Sequence, residues 1–110
     1  RRTGRTNWPA AAALYDALME TGRAGLGAAV ARASAYGRAF GPHEAMSQLD
    51  ALCQTAADYQ PFHAARAHWL GATGQAEAAR AAYARAAALS ADPQVRRFLN
   101  LQAARLQPSY

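Results

Sequence analysis

PFHAARAHWLGATGQAEAARAAYARAAALSADP, residues 61–93, is the stretch whose reading decides the fold. Pro61 follows Gln60 and suits the first turn of a helix, where its missing N–H would have no intrahelical partner. Phe62, Arg66, Trp69, Leu70 and Thr73 then recur at three- and four-residue spacings, which places them on one helical face. Gly74 ends that helix. A second stripe of Ala76, Ala79, Tyr83 and Ala86 predicts a helix over 75–89, and Asp92-Pro93 supplies an N-cap and a proline at the first position of the next. Two helices joined by a glycine turn make a hairpin.

The hairpin has an earlier copy, displaced by 34 residues. Ala31-Arg32-Ala33 aligns with Ala65-Arg66-Ala67, Tyr36-Gly37 with Leu70-Gly71, Ala45 with Ala79, Leu49 with Tyr83 and Leu52 with Ala86. Alanine-rich helices also align with one another by chance, so the glycine, arginine and aromatic matches have the greater weight. A 34-residue unit of two helices, with small residues where they approach, resembles the tetratricopeptide repeat. In the second copy the usual leucine and glycine of the first helix are displaced, and Pro93 falls about two residues late.

Working outward, Asn7 and Pro9 open a first helix over 8–20 with Trp8, Leu14, Tyr15, Leu18 and Met19 as its apolar side, and Gly22 lies just past its end. A second helix is expected from about Gly25 to Ala39, and a third from Pro42 to about Thr55. The sixth, over 93–106, has an apolar stripe of Val95, Phe98, Leu99, Gln102 and Leu106 and reads as an end cap. Residues 1–6 read as a flexible basic linker and 7–110 as one helical domain, with units at about 25–56 and 60–91. The expected fold class is all-α: a right-handed, tetratricopeptide-like stack of antiparallel helix hairpins, about six helices in number.

Composition agrees with a helical reading. The chain has 110 residues, enough for one modest core, and it contains no isoleucine and only two valines, Val30 and Val95, so a sheet is disfavoured. All 12 basic residues are arginine, and the net charge of +5 suggests nucleic acid until its distribution is seen. Between residues 7 and 91 six arginines face six acidic residues; the excess belongs to Arg1, Arg2 and Arg5 and to Arg96, Arg97 and Arg105, the last three set against Asp92. That is no continuous basic face. The single Cys53 forms no internal disulfide, which fits a reducing compartment and a cytoplasmic location. No uncharged stretch exceeds ten residues, short of the roughly 18–20 that span a bilayer. No signal-peptide pattern opens the chain, and an initial arginine suggests that it continues a longer protein.

Catalytic and metal chemistry find little support. His63 and His68 are five apart on one helix, about 140° from each other, so they cannot share a metal from it. His43 follows a proline at a helix start and reads as solvated. Cys53, beside Leu49 and Leu52, is expected to face the core as inert packing. Gly71-Ala72-Thr73-Gly74 reads as a hairpin turn, with no strand before it to make a phosphate loop. The expectation is a non-enzymatic chain with no cofactor and no metal.

Arg32 and Arg66 occupy equivalent positions in the two units. Either each pairs with helix-end carbonyls or a carboxylate such as Asp16 or Asp50, tying one hairpin to the next, or both clamp a carboxylate or peptide backbone of a partner. By analogy with tetratricopeptide grooves, lined by the first helix of each pair, Ser34, Arg38, Ala64 and His68 are groove candidates, with His63 and Arg66 beside them. Trp69 and Tyr59 read as core.

A narrower resemblance joins Asn7-Trp8-Pro9, Leu14-Tyr15-Asp16-Ala17-Leu18, Arg32-Ala33, Gly41-Pro42, Leu49-Asp50-Ala51-Leu52, His63-Ala64-Ala65-Arg66-Ala67, Gly74-Gln75-Ala76-Glu77-Ala78, Tyr83 and Arg97-Phe98-Leu99. In order and spacing these are similar to the C-terminal extension of a group of bacterial extracytoplasmic-function sigma factors. The second helix departs from it, with Val30-Ala31-Arg32-Ala33 where that family tends to have Leu-Asn-Arg-Ala, and with extra glycines at 25 and 27. The resemblance implies a regulatory protein-interaction domain whose partners are the sigma regions of the same chain, RNA polymerase or a regulator. DNA would be bound only through regions outside this sequence, and no membrane is implied. The rival reading is a general tetratricopeptide adaptor for a peptide or protein.

Overall fold

The computed structural model describes residues 6–106; the expected linker, Thr6 apart, and the last four residues lie outside the described residues. Among the described residues there are six helices and no strand: α1 (Trp8–Glu20), α2 (Leu26–Phe40), α3 (Pro42–Ala51), α4 (Gln60–Ala72), α5 (Ala76–Leu89) and α6 (Pro93–Ala104). Helix starts follow a common spacing. Trp8, Pro42 and Ala76 open α1, α3 and α5 at 34-residue intervals, while Leu26, Gln60 and Pro93 open α2, α4 and α6 at intervals of 34 and 33. The period thus extends through α1 and α6, beyond the two units visible in the sequence.

Local chemistry sets the ends. The Asn7 side chain accepts the Ala10 N–H at 3.1 Å, and Asp92 accepts that of Gln94 at 2.9 Å, each satisfying an otherwise orphaned donor of a first turn. Between α2 and α3 the connection is the single residue Gly41, at φ 116° and ψ 160°, a conformation that residues with a Cβ rarely adopt.

Each helix packs against its successor, and α2 also packs against α4. Alanines make the close approaches: Ala33 and Ala45 in one pair, and their equivalents Ala67 and Ala79 in the next, are fully buried. One apolar cluster unites Val30, Ala33, Ala45, Leu49, Ala56, Phe62 and Trp69; another unites Ala67, Leu70, Ala79, Ala82, Tyr83, Ala86, Ala87 and Leu99. Met46 touches both.

Four expectations need correction. The third helix ends at Ala51 instead of near Thr55, because Leu52 and Cys53 turn their N–H groups onto Leu49 and Asp50, three residues back, and tight turns continue to Asp58. Those turns carry Ala56 into the core and leave Cys53 exposed, so the thiol is not packing. On α1 the buried residue is Ala12, whereas Leu14 is 71% and Leu18 43% exposed. On α6 Phe98 is 58% exposed; Leu99 is the buried residue there, and the helix ends at Ala104, with Leu106 packed on the cluster beyond it.

Replacing Gly41 by alanine should cost about 1–3 kcal/mol from backbone strain alone, since no atom lies within 4 Å of the added Cβ. A thermal melt should fall by several degrees, roughly 4–8 °C per kcal/mol for a domain near this size. An unchanged melting temperature would contradict the observed turn.

Candidate functional site

Two polar constructions stand out. In the first, Asp16 on α1 meets Arg32 and Tyr36, one turn apart on α2. Arg32 Nε donates to Asp16 Oδ1 at 2.7 Å, and the Tyr36 hydroxyl donates to Oδ2 at 2.5 Å. Each carboxylate oxygen has its own donor, and the guanidinium lies 5.5 Å from the Tyr36 ring centroid. The Tyr36 hydrogen bond, assisted by Arg32 and opposed by partial burial, holds the Asp16 carboxyl below its usual range. The bond to Asp16 raises the Tyr36 hydroxyl correspondingly.

The same pair recurs 34 residues later in looser form. Arg66 on α4 and Asp50 on α3 stand 4.0 Å apart, and Asp50 is well exposed. Leu70 replaces the tyrosine, so the second donor is gone, and the buried Arg66 Nε has no hydrogen-bond partner. Arg66 therefore faces Asp50, and its distance leaves the guanidinium weakly engaged.

The second construction lies where the start of α1, the last turn of α2 and the last turn of α4 meet. The Arg38 guanidinium carbon is 5.6 Å from the Trp8 ring centroid and 5.9 Å from that of Trp69, within cation–π range of both. Trp69 is buried and fixed at two points. Its indole N–H donates to Ser34 Oγ at 3.2 Å, and its ring covers Gly37, where an added Cβ would come within 2.6 Å of it. His68 packs edge-on against Trp69 with ring centroids 4.8 Å apart. Burial lowers the His68 pKa and the nearby Arg38 charge lowers it further, so the imidazole is neutral near pH 7 and the guanidinium is the positive charge of the cluster.

Ser34, Arg38 and His68 thus come together, joined by Trp8 and Trp69. Trp69 is core along most of its ring, yet it also shapes this surface. The cluster needs α1 and α4 both to pack on α2, and no spacing within one helix signals that. His63 is elsewhere: its Nε2 is 2.7 Å from the Ala57 carbonyl, to which Arg85 also reaches at 3.4 Å while pairing with Asp58 at 2.9 Å. Those contacts secure the turns before α4. Among the described residues no three His, Cys, Asp or Glu side chains form a group able to hold a metal ion, and no helix is long and apolar enough to cross a membrane.

No family model, curated protein or solved structure matches the chain.

The Asp16 cluster carries a pH signature with a fixed sign. A folded-state pKa below the ordinary 3.8 contributes stability above that value and loses it as pH falls through the folded pKa. Asp16→Asn should therefore lower the melting temperature at neutral pH, and the gap from the parent chain should close progressively below pH 3.8. A gap that stays constant down to about pH 2 would contradict the assignment.

Proposed function

We propose that the chain is a regulatory protein-interaction domain of a sigma-factor-like bacterial transcription initiation protein, cytoplasmic and non-enzymatic. On this reading its helices form a right-handed, tetratricopeptide-like stack of antiparallel hairpins. The observation that carries the architectural part is the common spacing of the helix starts, with α1, α3 and α5 in one register and α2, α4 and α6 in the other. Packing of α2 against both α3 and α4 is what such a stack requires.

In that register α1 is the second helix of a unit and α6 the first helix of another. A helix in that position normally covers its apolar face with its own partner. The exposed Leu14 and Leu18 on α1, and Phe98 and Leu101 on α6, support contacts beyond the helices described. The resemblance to sigma-factor extensions supplies the partners: preceding sigma regions of the same protein, RNA polymerase, or a regulator. DNA would be engaged by those other regions, since the body of this chain is balanced in charge.

A general peptide adaptor is the second reading, favoured by the Ser34, Arg38 and His68 surface. The two readings separate in a binding experiment with bacterial core RNA polymerase and a sigma-region fragment as probes. The first predicts a complex with one of them, weakened at least about tenfold by the pair Leu14→Glu and Leu18→Glu, with a melting temperature within a few degrees of the parent. Absence of binding to both probes by the folded chain would contradict it.

A further inference from the structure

Arg32 and Arg85 each place a guanidinium nitrogen within 3 Å of an aspartate, and Arg66 faces Asp50. Arg38 differs. Among the described residues no carboxylate lies within ion-pair distance of it; its neighbours are the two indoles and the neutral His68 ring. Contact with the indole rings satisfies none of the five N–H donors of the guanidinium fork, and among the described residues no hydrogen bond or ion pair occupies them. Arg38 is also exposed, so those donors meet solvent.

We propose that Arg38, within cation–π reach of both Trp8 and Trp69, is the seat for a side-chain carboxylate of an acidic peptide segment on the partner. The fork matches a carboxylate in two parallel hydrogen bonds, and the rings restrict the side chain beforehand, reducing the ordering cost of binding. Trp69 cannot easily swing away, because Ser34 and the absent Gly37 side chain fix its place. The half-exposed Trp8 ring beside Arg38 suits the methylene stem of glutamate. A nucleic-acid backbone would need several cations side by side, and the arginines at the repeat-equivalent positions, Arg32 and Arg66, already face aspartates. This assignment rests on the partner-docking reading and specifies its chemistry.

The chain has two tryptophans, Trp8 and Trp69, and both flank Arg38, so intrinsic emission reports on this site directly. Titration of the 110-residue chain with capped hexaglutamate should give a saturable emission change, absent with capped hexaglutamine and weakened by salt. Arg38→Gln should reduce affinity at least about tenfold, and Arg97→Gln, an exposed arginine on α6 with no ring contact, less than about twofold. Arg38→Lys keeps the charge but not the fork, and should bind several-fold more weakly than the parent, which keeps the test open should the glutamine variant fail to fold. Hexaglutamate binding that is absent, or equally tight in a folded Arg38 variant, overturns the proposal. So does a short DNA duplex that binds more tightly with the same Arg38 dependence. Loss of the peptide interaction with polymerase or sigma-fragment binding intact would remove the carboxylate seat and leave the docking reading standing.

Discussion

The seating of Trp69 over Gly37 is the contact on which most of the molecule depends. A glycine in the interior of a helix weakens it by roughly 0.5–1 kcal/mol relative to alanine, and Gly37 lies in the last part of α2. Its compensation is access: the indole of α4 reaches the α2 backbone at a distance that a methyl group would forbid. That contact holds α4 against α2 and places Ala45 of α3 close by. One repeat later, Gly71 has the same function in milder form, with Leu106 Cδ2 3.0 Å from where a Cβ would stand. In both places a glycine late in one helix makes room for a large side chain from farther along the chain, Trp69 of α4 in the first and Leu106, just past α6, in the second.

Polar contacts repeat in register but differ in strength. The pairs Asp16–Arg32 and Asp50–Arg66 link an odd-numbered helix to the next even-numbered one in both places. Tyr36 makes the first a closed three-member network, and Leu70 opens the second by giving up a hydroxyl for burial in the core. The difference follows from position, because Leu70 lies among Ala67, Tyr83 and Leu99, where an unpaired hydroxyl would be costly. A repeat can keep its charges while changing what they do: a tight internal tie at one joint, a loosely held arginine at the next.

Much of the helical layout was legible in the sequence because caps, prolines and glycines act locally. Asn7, Gly41-Pro42, Gln60-Pro61 and Asp92-Pro93 each mark an end to within a residue or so of its place. The errors share a cause. Cys53, Leu14, Leu18 and Phe98 are apolar residues at helical spacing, and spacing alone says which face they share without saying whether anything covers it. Ala12 and Ala56 are buried in their stead, since in an alanine-rich chain the close approaches belong to methyl groups. The Arg38 stack was legible only in part. Its position on the second helix was readable, but its indole neighbours come from α1 and α4, 30 residues before and 31 after it.

Structure and proposed function meet at Trp69, which locks α4 to α2 on its buried side and flanks Arg38 on its outer side. If that seating were absent, the joint between the helix pairs and the Arg38 surface would both lose their basis. The direct measurement is a proton NOE spectrum of the labelled chain. With Trp69 seated over Gly37, cross-peaks are expected from the Trp69 Hζ2 and Hη2 protons to the Gly37 Hα pair, with an upfield ring-current shift of those α protons and a cross-peak from the indole N–H to Ser34 Hβ. Trp69 ring protons without contacts to Gly37, and Gly37 α protons at ordinary shifts, would contradict it.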